Sequence, residues 1–335
     1  DPTINLTSLL GTSIDGYVSV NGSDTKESTS CKFDNSKKIN YVVTFMNTDN
    51  KTVLETRKVS SGTALGNLPS TRQYFTKTGG NGTEYTSTST ITDDALVYPK
   101  LTKFELDSWT TIATNVRNGN TGDYNVGDTK EVNLGTTYGT HTLRIANTTT
   151  PSECSTSGFS QTACGFVLEF ADIITTYEMN DTDTNVGGWP ASSMYDFVNY
   201  DIYNSLPSDL KSTIIDTTVV SSHGSTNGEN FTSIDKLYLL SLKEVYSDWS
   251  TNSYSSYDSA KDLTRTLDYY INKNVTSSDD SETIKKYKTT DSWWWLREAH
   301  SNYDHSFFIV PTDDYSYLSA YANTSGGVSP AFRIG

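Results

Sequence analysis

The chain has 335 residues, of which 34% are hydrophobic and 19% charged, and its formal net charge is −15. That length allows two or three domains, the acidic balance repels phosphate backbones and excludes nucleic acid as a partner, and no stretch approaches the ~20 apolar residues that span a bilayer, so this fragment holds no membrane span. A core is supplied by 22 Tyr, 12 Phe and 6 Trp, while solubility rests on Ser, Thr, Asn and Gly, which favour turns and strands over helices.

The sequence starts at Asp1 without Met or a signal segment. It reads as a fragment, a processed form, or a chain numbered from its first ordered residue. Residues 1–38 are polar, with an apolar patch at Ile4–Leu10 and an alternating run at Tyr17–Val20. They read as short strands, as an arm docking on a neighbour and so a route to an oligomer, or in part as a disordered tail.

From Asn40 the pattern sharpens. Tyr41–Phe45 is an expected strand, Asn47–Lys51 a turn and Thr52–Thr56 a second strand, which together make a hairpin. Tyr74-Phe75, the Gly-rich turn Gly79–Gly82, a Thr/Ser run and a closing strand Leu96–Tyr98 follow. In this order the blocks over about 41–101 resemble the small β-grasp repeat of Gram-positive surface proteins, the Listeria–Bacteroides or internalin B type. The usual Trp after the Phe is replaced by Thr76-Lys77, and Leu101 stands where the closing tryptophan would be. The resemblance implies a spacer or adhesion module at 39–102 and carries over no functional residue.

Residues 103–335 read as one larger domain. Trp109–Ala113 opens it, Tyr124–Asp128 is a turn, and Lys130–Leu134, His141–Ile145 and Cys164–Phe170 are expected strands. Cys154 and Cys164 flank a Ser/Gly-rich loop and either pair outside the cell or stay free; Cys31 has no evident partner. After Asn185–Trp189, Pro190 starts a helix whose apolar side is Met194, Phe197, Val198 and Ile202. A second helix is expected after Leu206-Pro207, with Leu210, Ile214 and Ile215 as its stripe, then a strand at Asp235–Ser241. The polar stretch 247–290 reads as a surface loop with helical turns.

The tail runs from Ser292 to Gly335. Two apolar blocks, Trp293–Arg297 and Val328–Ile334, bracket a segment of Asn, Asp, Ser, His and Tyr. Successive strand residues point to opposite faces, so at least two of Trp293, Trp294 and Trp295 are expected in the core. Arg297 either holds an anionic ligand or pairs with a buried carboxylate.

Seven blocks recur in order: Trp109–Ala113, Tyr124–Leu134, Asn185–Asn199, Leu206–Ile214, Asp235–Val245, Trp294–Arg297 and Gly327–Ile334. Together they resemble a family of Firmicute surface and phage-encoded proteins without assigned activity, similar to the C-type-lectin-like, formylglycine-generating-enzyme-like superfold. The family's WWLRSP reads Trp294–Ala299 here, with Glu298-Ala299 at its end, and its GVRPAF reads Gly327–Phe332, with Ser329 for the usual Arg. The resemblance keeps Arg297 beside core residues, which implies the pairing with a buried carboxylate. The tail also resembles the variable regions of lectin-fold proteins diversified by retroelements, where randomised adenines turn Asn codons into Tyr, Ser, Asp, His and similar residues.

The expected fold class is therefore α+β, a C-type-lectin-like domain preceded by a small β-grasp repeat. The resemblance and the residue palette imply a ligand-binding surface of Glu298, His300, Ser301, Asn302, Tyr303, Asp304, His305, Asp313, Tyr315, Tyr317, Tyr321 and Asn323. The implied partner is a protein or glycan receptor on another cell surface, and the implied setting is extracellular, on a cell or virion. The alternative is a fixed-specificity adhesin or phage tail receptor-binding protein. An enzyme on this superfold ranks lower: its reactive cysteines would sit near the C-terminal core, and no Cys follows Cys164. No cofactor or metal is expected; His300, His305 and Asp304 lack a nucleophile motif or ligand repeat, and Asp279-Asp280 and Asp313-Asp314 read as solvated loop acids.

Overall fold

The computed structural model describes residues 40–276, 281–312 and 318–335, with the backbone of the short strands at 17–20 and 31–34. The patch Ile4–Leu10, the pairs Asp279-Asp280 and Asp313-Asp314, and the expected contact residues Asp313, Tyr315 and Tyr317 lie outside the described residues. The chain divides into two compact units, Asp1–Leu101 and Thr102–Gly335. Strand makes up 32% and helix 22%, in separate segments rather than βαβ repeats, which makes the class α+β.

In the first unit, β1 (Tyr17–Val20) pairs antiparallel with β2 (Cys31–Asp34). A five-stranded mixed sheet follows, built from β3 (Asn40–Met46), β4 (Val53–Ser60), β5 (Tyr74–Lys77), β6 (Asn81–Tyr85) and β7 (Ala95–Pro99), in the order β4-β3-β7-β5-β6. The expected hairpin is β3–β4, and the Asp49 carboxylate shapes its turn by accepting from the Lys51 and Thr52 amides, both at 2.8 Å. Alternation sends Val43, Phe45, Tyr74 and Val97 to one face, where Leu65 and Ile91 from the connecting loops close a small core.

The strands of the second unit are β8 (Thr129–Asn133), β9 (Thr140–Asn147), β10 (Val167–Phe170), β11 (Thr175–Tyr177), β12 (Thr217–Ser221), β13 (Phe231–Asp235), β14 (Lys285–Tyr287), β15 (Thr290–Ser292), β16 (Trp294–Ala299), β17 (Ser306–Val310), β18 (Ser319–Tyr321), β19 (Gly326–Val328) and β20 (Ala331–Arg333). One sheet is antiparallel in the order β20-β10-β9-β8; the other is mixed, β11-β19-β16-β17-β18. β12–β13 and β14–β15 are separate hairpins. One hydrophobic core runs through both sheets and the helices Trp109–Arg117 and Ser193–Asp196. β16 is the axis of the unit: all its residues are buried, as expected of a strand covered on both faces. β19 lies parallel to it, and only glycine fits there, since a Cβ on Gly326 would fall 2.1 Å from the Trp293 ring.

Three expectations change. Asp235–Ser241 is not one strand: β13 ends at Asp235, and the Asn199 side chain accepts from the Lys236 and Leu237 amides, which takes them out of any ladder. Only Tyr238 then bridges to Ala331, although Leu237–Leu240 are fully buried. The second helix is a single turn, Ser208–Lys211, and Ile214 instead bridges to Ile334. The stretch after 247 is no surface loop: Trp249, Asp258 and Tyr270 are buried. Its polar groups satisfy distant backbone, as where Asp268 accepts from the Thr148 and Thr149 amides at 3.0 Å.

Candidate functional site

Between β16 and β17 the chain makes a tight loop, 300–305. Its backbone closes on itself through the His300 amide donating to Ser306 O at 3.0 Å and the Tyr303 amide to His300 O at 3.2 Å. A second grip comes from Asn185, which is fully buried. Its Nδ2 lies 3.3, 2.8 and 2.9 Å from the carbonyls of His300, Tyr303 and Ser306, and its own amide donates to Asp304 O at 2.8 Å. Gly224 makes this possible, because a Cβ there would lie 2.2 Å from Asn185 Oδ1. The loop is therefore held by its main chain, and its side chains are left to other tasks.

Those side chains stack. Tyr257 and His300 have ring centroids 4.7 Å apart, His300 and Tyr303 4.6 Å, Tyr303 and His305 5.5 Å, and His305 and Tyr321 5.1 Å. The ladder runs from a half-buried Tyr257 through a buried His300, 4% exposed, and ends in solvent, with Tyr303 46% and Tyr321 58% exposed. Burial pushes His300 down to about 4, and its Nδ1 accepts from the Asn302 amide at 3.3 Å, so the neutral ring carries its proton on Nε2. At the outer end, Tyr303, His305 and Tyr321 line an open depression of about 580 Å³, with Ser306, Ser319 and Thr324 supplying hydroxyls. Asp304 is exposed, and its hydrogen bond with His305 Nδ1, at 2.8 Å, lowers its pKa.

Of the expected contact residues, Tyr303, His305 and Tyr321 converge on this depression, and Asn302, Asp304 and Asn323 are exposed in the same two loops, with Ser301 half-buried. Glu298 and His300 are corrections. Glu298 is 1% exposed within β16, where one oxygen accepts from the Ser222 amide. Arg297 Nε stands 3.2 Å from the other oxygen but donates its hydrogen to Val220 O. Burial and the nearby Asp258 push Glu298 up to about 8. The residue palette of the tail describes composition alone, so it did not separate these inward positions from the displayed ones. Asn185, Tyr257, Ser306, Ser319 and Thr324 were not foreseen as site residues. Asn185 opens the block Asn185–Asn199, where its sequence reads as a helix lead-in, and Tyr257 reaches the ladder only through tertiary structure.

The apolar blocks are scaffold. Trp294 and Trp295 are fully buried, donating to Thr283 O and Tyr177 O, and Trp293 packs edge-on against Trp295 at 5.0 Å. Arg297 makes the expected buried pair, giving two 2.7 Å bonds to the Glu244 carboxylate and a third to Leu239 O.

A second depression, of about 480 Å³, is lined in part by Tyr138, His141, Asp172 and Tyr287. Both His141 nitrogens face acceptors, Asp172 Oδ2 at 3.0 Å and Tyr138 O at 2.9 Å, which favours the doubly protonated ring. Cys154 and Cys164 form a disulfide. Among the described residues no group of three or more His, Cys, Asp or Glu could hold a metal ion, and no helix is long and apolar enough to cross a membrane.

Comparison with known proteins places residues 166–335 in a family described as a domain of unknown function, DUF6273. No curated protein and no solved structure matches the chain. The match begins just before β10 and takes in β16, the loop 300–305, the depression and the C-terminal strand, half of the sequence, and the chain belongs to the DUF6273 family.

Proposed function

We propose that the second unit is a recognition domain, displaying the outer end of the Tyr257–Tyr321 ladder to a protein or glycan receptor on another cell surface. The observation that carries this reading is the convergence of Tyr303, His305 and Tyr321 on one depression, at a loop that follows a fully buried strand. Exposed aromatic groups on a fixed frame give large contact area at small entropic cost, as in antibody loops. The site is one of binding rather than catalysis, and the chain acts outside the cell, on a cell surface or virion. The ordered sequence blocks support a C-type-lectin-like scaffold, the pattern of 41–101 supports a β-grasp spacer, and the palette of 300–323 supports diversification of the displayed loop.

The test is an array of glycans and cell-surface proteins, probed with the wild-type chain and with a variant carrying Tyr303→Ala and Tyr321→Ala. The expected result is a ligand retained by the wild type and lost by the variant. Ligands bound equally by both would move the site elsewhere.

A further inference from the structure

The depression has a chemical bias that narrows its ligand. Its walls are tyrosine and histidine rings and hydroxyl groups. Its border is acidic. The segment 178–185 is tied to it at both ends, by the Asn180 amide donating to Ala322 O at 3.0 Å and the Asn185 amide donating to Asp304 O at 2.8 Å. Between those ties Asp181 and Asp183 are exposed, and Asp304 is exposed beside the rings. The segments 178–185, 300–306 and 318–325 contain no Lys or Arg. Burial raises the pKa of Tyr177, and Glu178 and Asp181 raise it further.

Resting on the recognition reading above, we propose that this depression receives an arginine side chain presented by a partner protein. A guanidinium stacks flat on a tyrosine ring and forks to a carboxylate. An anionic ligand would be repelled, and a neutral saccharide would stack without using the acidic border. The chain already uses this combination internally, where the Arg144 guanidinium lies 3.6 Å from the Tyr269 ring centroid and 2.9 Å from Glu169. At the depression the rings are present, and Asp304, whose Oδ1 is bonded to His305 Nδ1, keeps its Oδ2 for a cation that a partner would supply.

The experiment titrates the full chain with N-acetyl-arginine amide and with its neutral isostere N-acetyl-citrulline amide, followed by the NMR signals of Tyr303, His305 and Tyr321. Arginine should shift these signals, with binding about tenfold weaker for citrulline and about three- to tenfold weaker in the Asp304→Asn chain. Tyr321→Ala should remove the effect; both side chains are exposed, so each variant is expected to fold, which circular dichroism verifies. Raising salt from about 50 to 500 mM should weaken arginine and leave citrulline unchanged. Equal binding of both amides, no arginine shift, or indifference to Tyr321→Ala and Asp304→Asn would each overturn the arginine inference. If a neutral saccharide from the array moves the same signals and arginine does not, the recognition reading stands and only the ligand class falls. If array binding survives the loss of Tyr303 and Tyr321, both readings fall.

Discussion

Asn185 Nδ2 donates to the backbone carbonyl of Tyr303 at 2.8 Å, across 118 residues of sequence. That bond, with its neighbours to His300 and Ser306, fixes the loop that carries the exposed rings. Asn185→Ala takes one donor from each of three carbonyls, leaving them backbone donors at 3.0 to 3.4 Å, and should cost about 1–3 kcal/mol in urea unfolding. Asn185→Asp should cost more, because a carboxylate would face those carbonyls. Ligand binding should weaken in both variants beyond what the lost stability explains, which binding measured well below the unfolding midpoint will show.

Arg297 and Glu244 are both fully buried and share two 2.7 Å bonds. Arg297→Ala leaves the carboxylate uncompensated and should cost about 3–5 kcal/mol, visible as loss of soluble protein or a collapse in Tm. Arg297→Met combined with Glu244→Gln should recover part of that loss. A double variant no better than Arg297→Ala would show that the bonds to Val220 O and Leu239 O matter more than the charge pair.

Stability should peak in mild acid. Burial raises Glu298 to about 8, helped by Asp258, and raises Asp258 itself to about 6. Both folded values lie above the unfolded ones, so the folded state holds these protons more tightly. Their contribution is complete below the unfolded values of 4.5 and 3.8 and is lost as pH rises through 6 and 8. Two groups oppose this on the acid side. Burial disfavours the charged form of Glu169, yet Arg144 and Lys285 hold it at about 2, so its contribution fades as pH falls below 4.5. Burial depresses His300 to about 4, and its contribution fades as pH falls below 6.5. Tm should therefore be higher near pH 6 than near pH 8 (roughly). Glu298→Gln, a neutral isostere, should flatten that slope; an unchanged slope would remove Glu298 as its source.

Gly326→Ala should destabilise the unit by about 1–3 kcal/mol, because the added methyl meets the Trp293 ring at 2.1 Å and the Trp295 indole nitrogen at 2.7 Å. The same substitution at Gly122, with nothing within 4 Å, serves as the control and should change chemical unfolding little.

How much was readable follows from where each signal is stored. The strand at Tyr41–Phe45 and the buried tryptophans of β16 are visible in apolar patterning, which is local. The pairing of Arg297 was legible through the family resemblance, which keeps that position beside core residues, where a cation must find an acid. The stretch after 247 was not, since its apolar residues are sparse and some of its buried polar groups have partners more than 100 residues away, as with Asp268 and Thr149. Ser329 is a further case: only the fold shows its hydroxyl 2.9 Å from the Lys285 ammonium, which itself stands 2.8 Å from Glu169. For the site, composition named the displayed tyrosine and histidine, yet it also swept in Glu298, which points inward.

The main-chain grip on the loop 300–305 bears on what mutation can do there. Carbonyls are common to every amino acid, so a clamp that reads carbonyls is blind to side-chain identity. Replacements at Asn302 or Asp304 alter what the surface offers while the loop keeps its path, since Asn185 holds backbone oxygens that no codon change removes. The shape of the loop and its chemistry can thereby change separately, and on the recognition reading proposed above the surface could alter its specificity without retesting its fold each time.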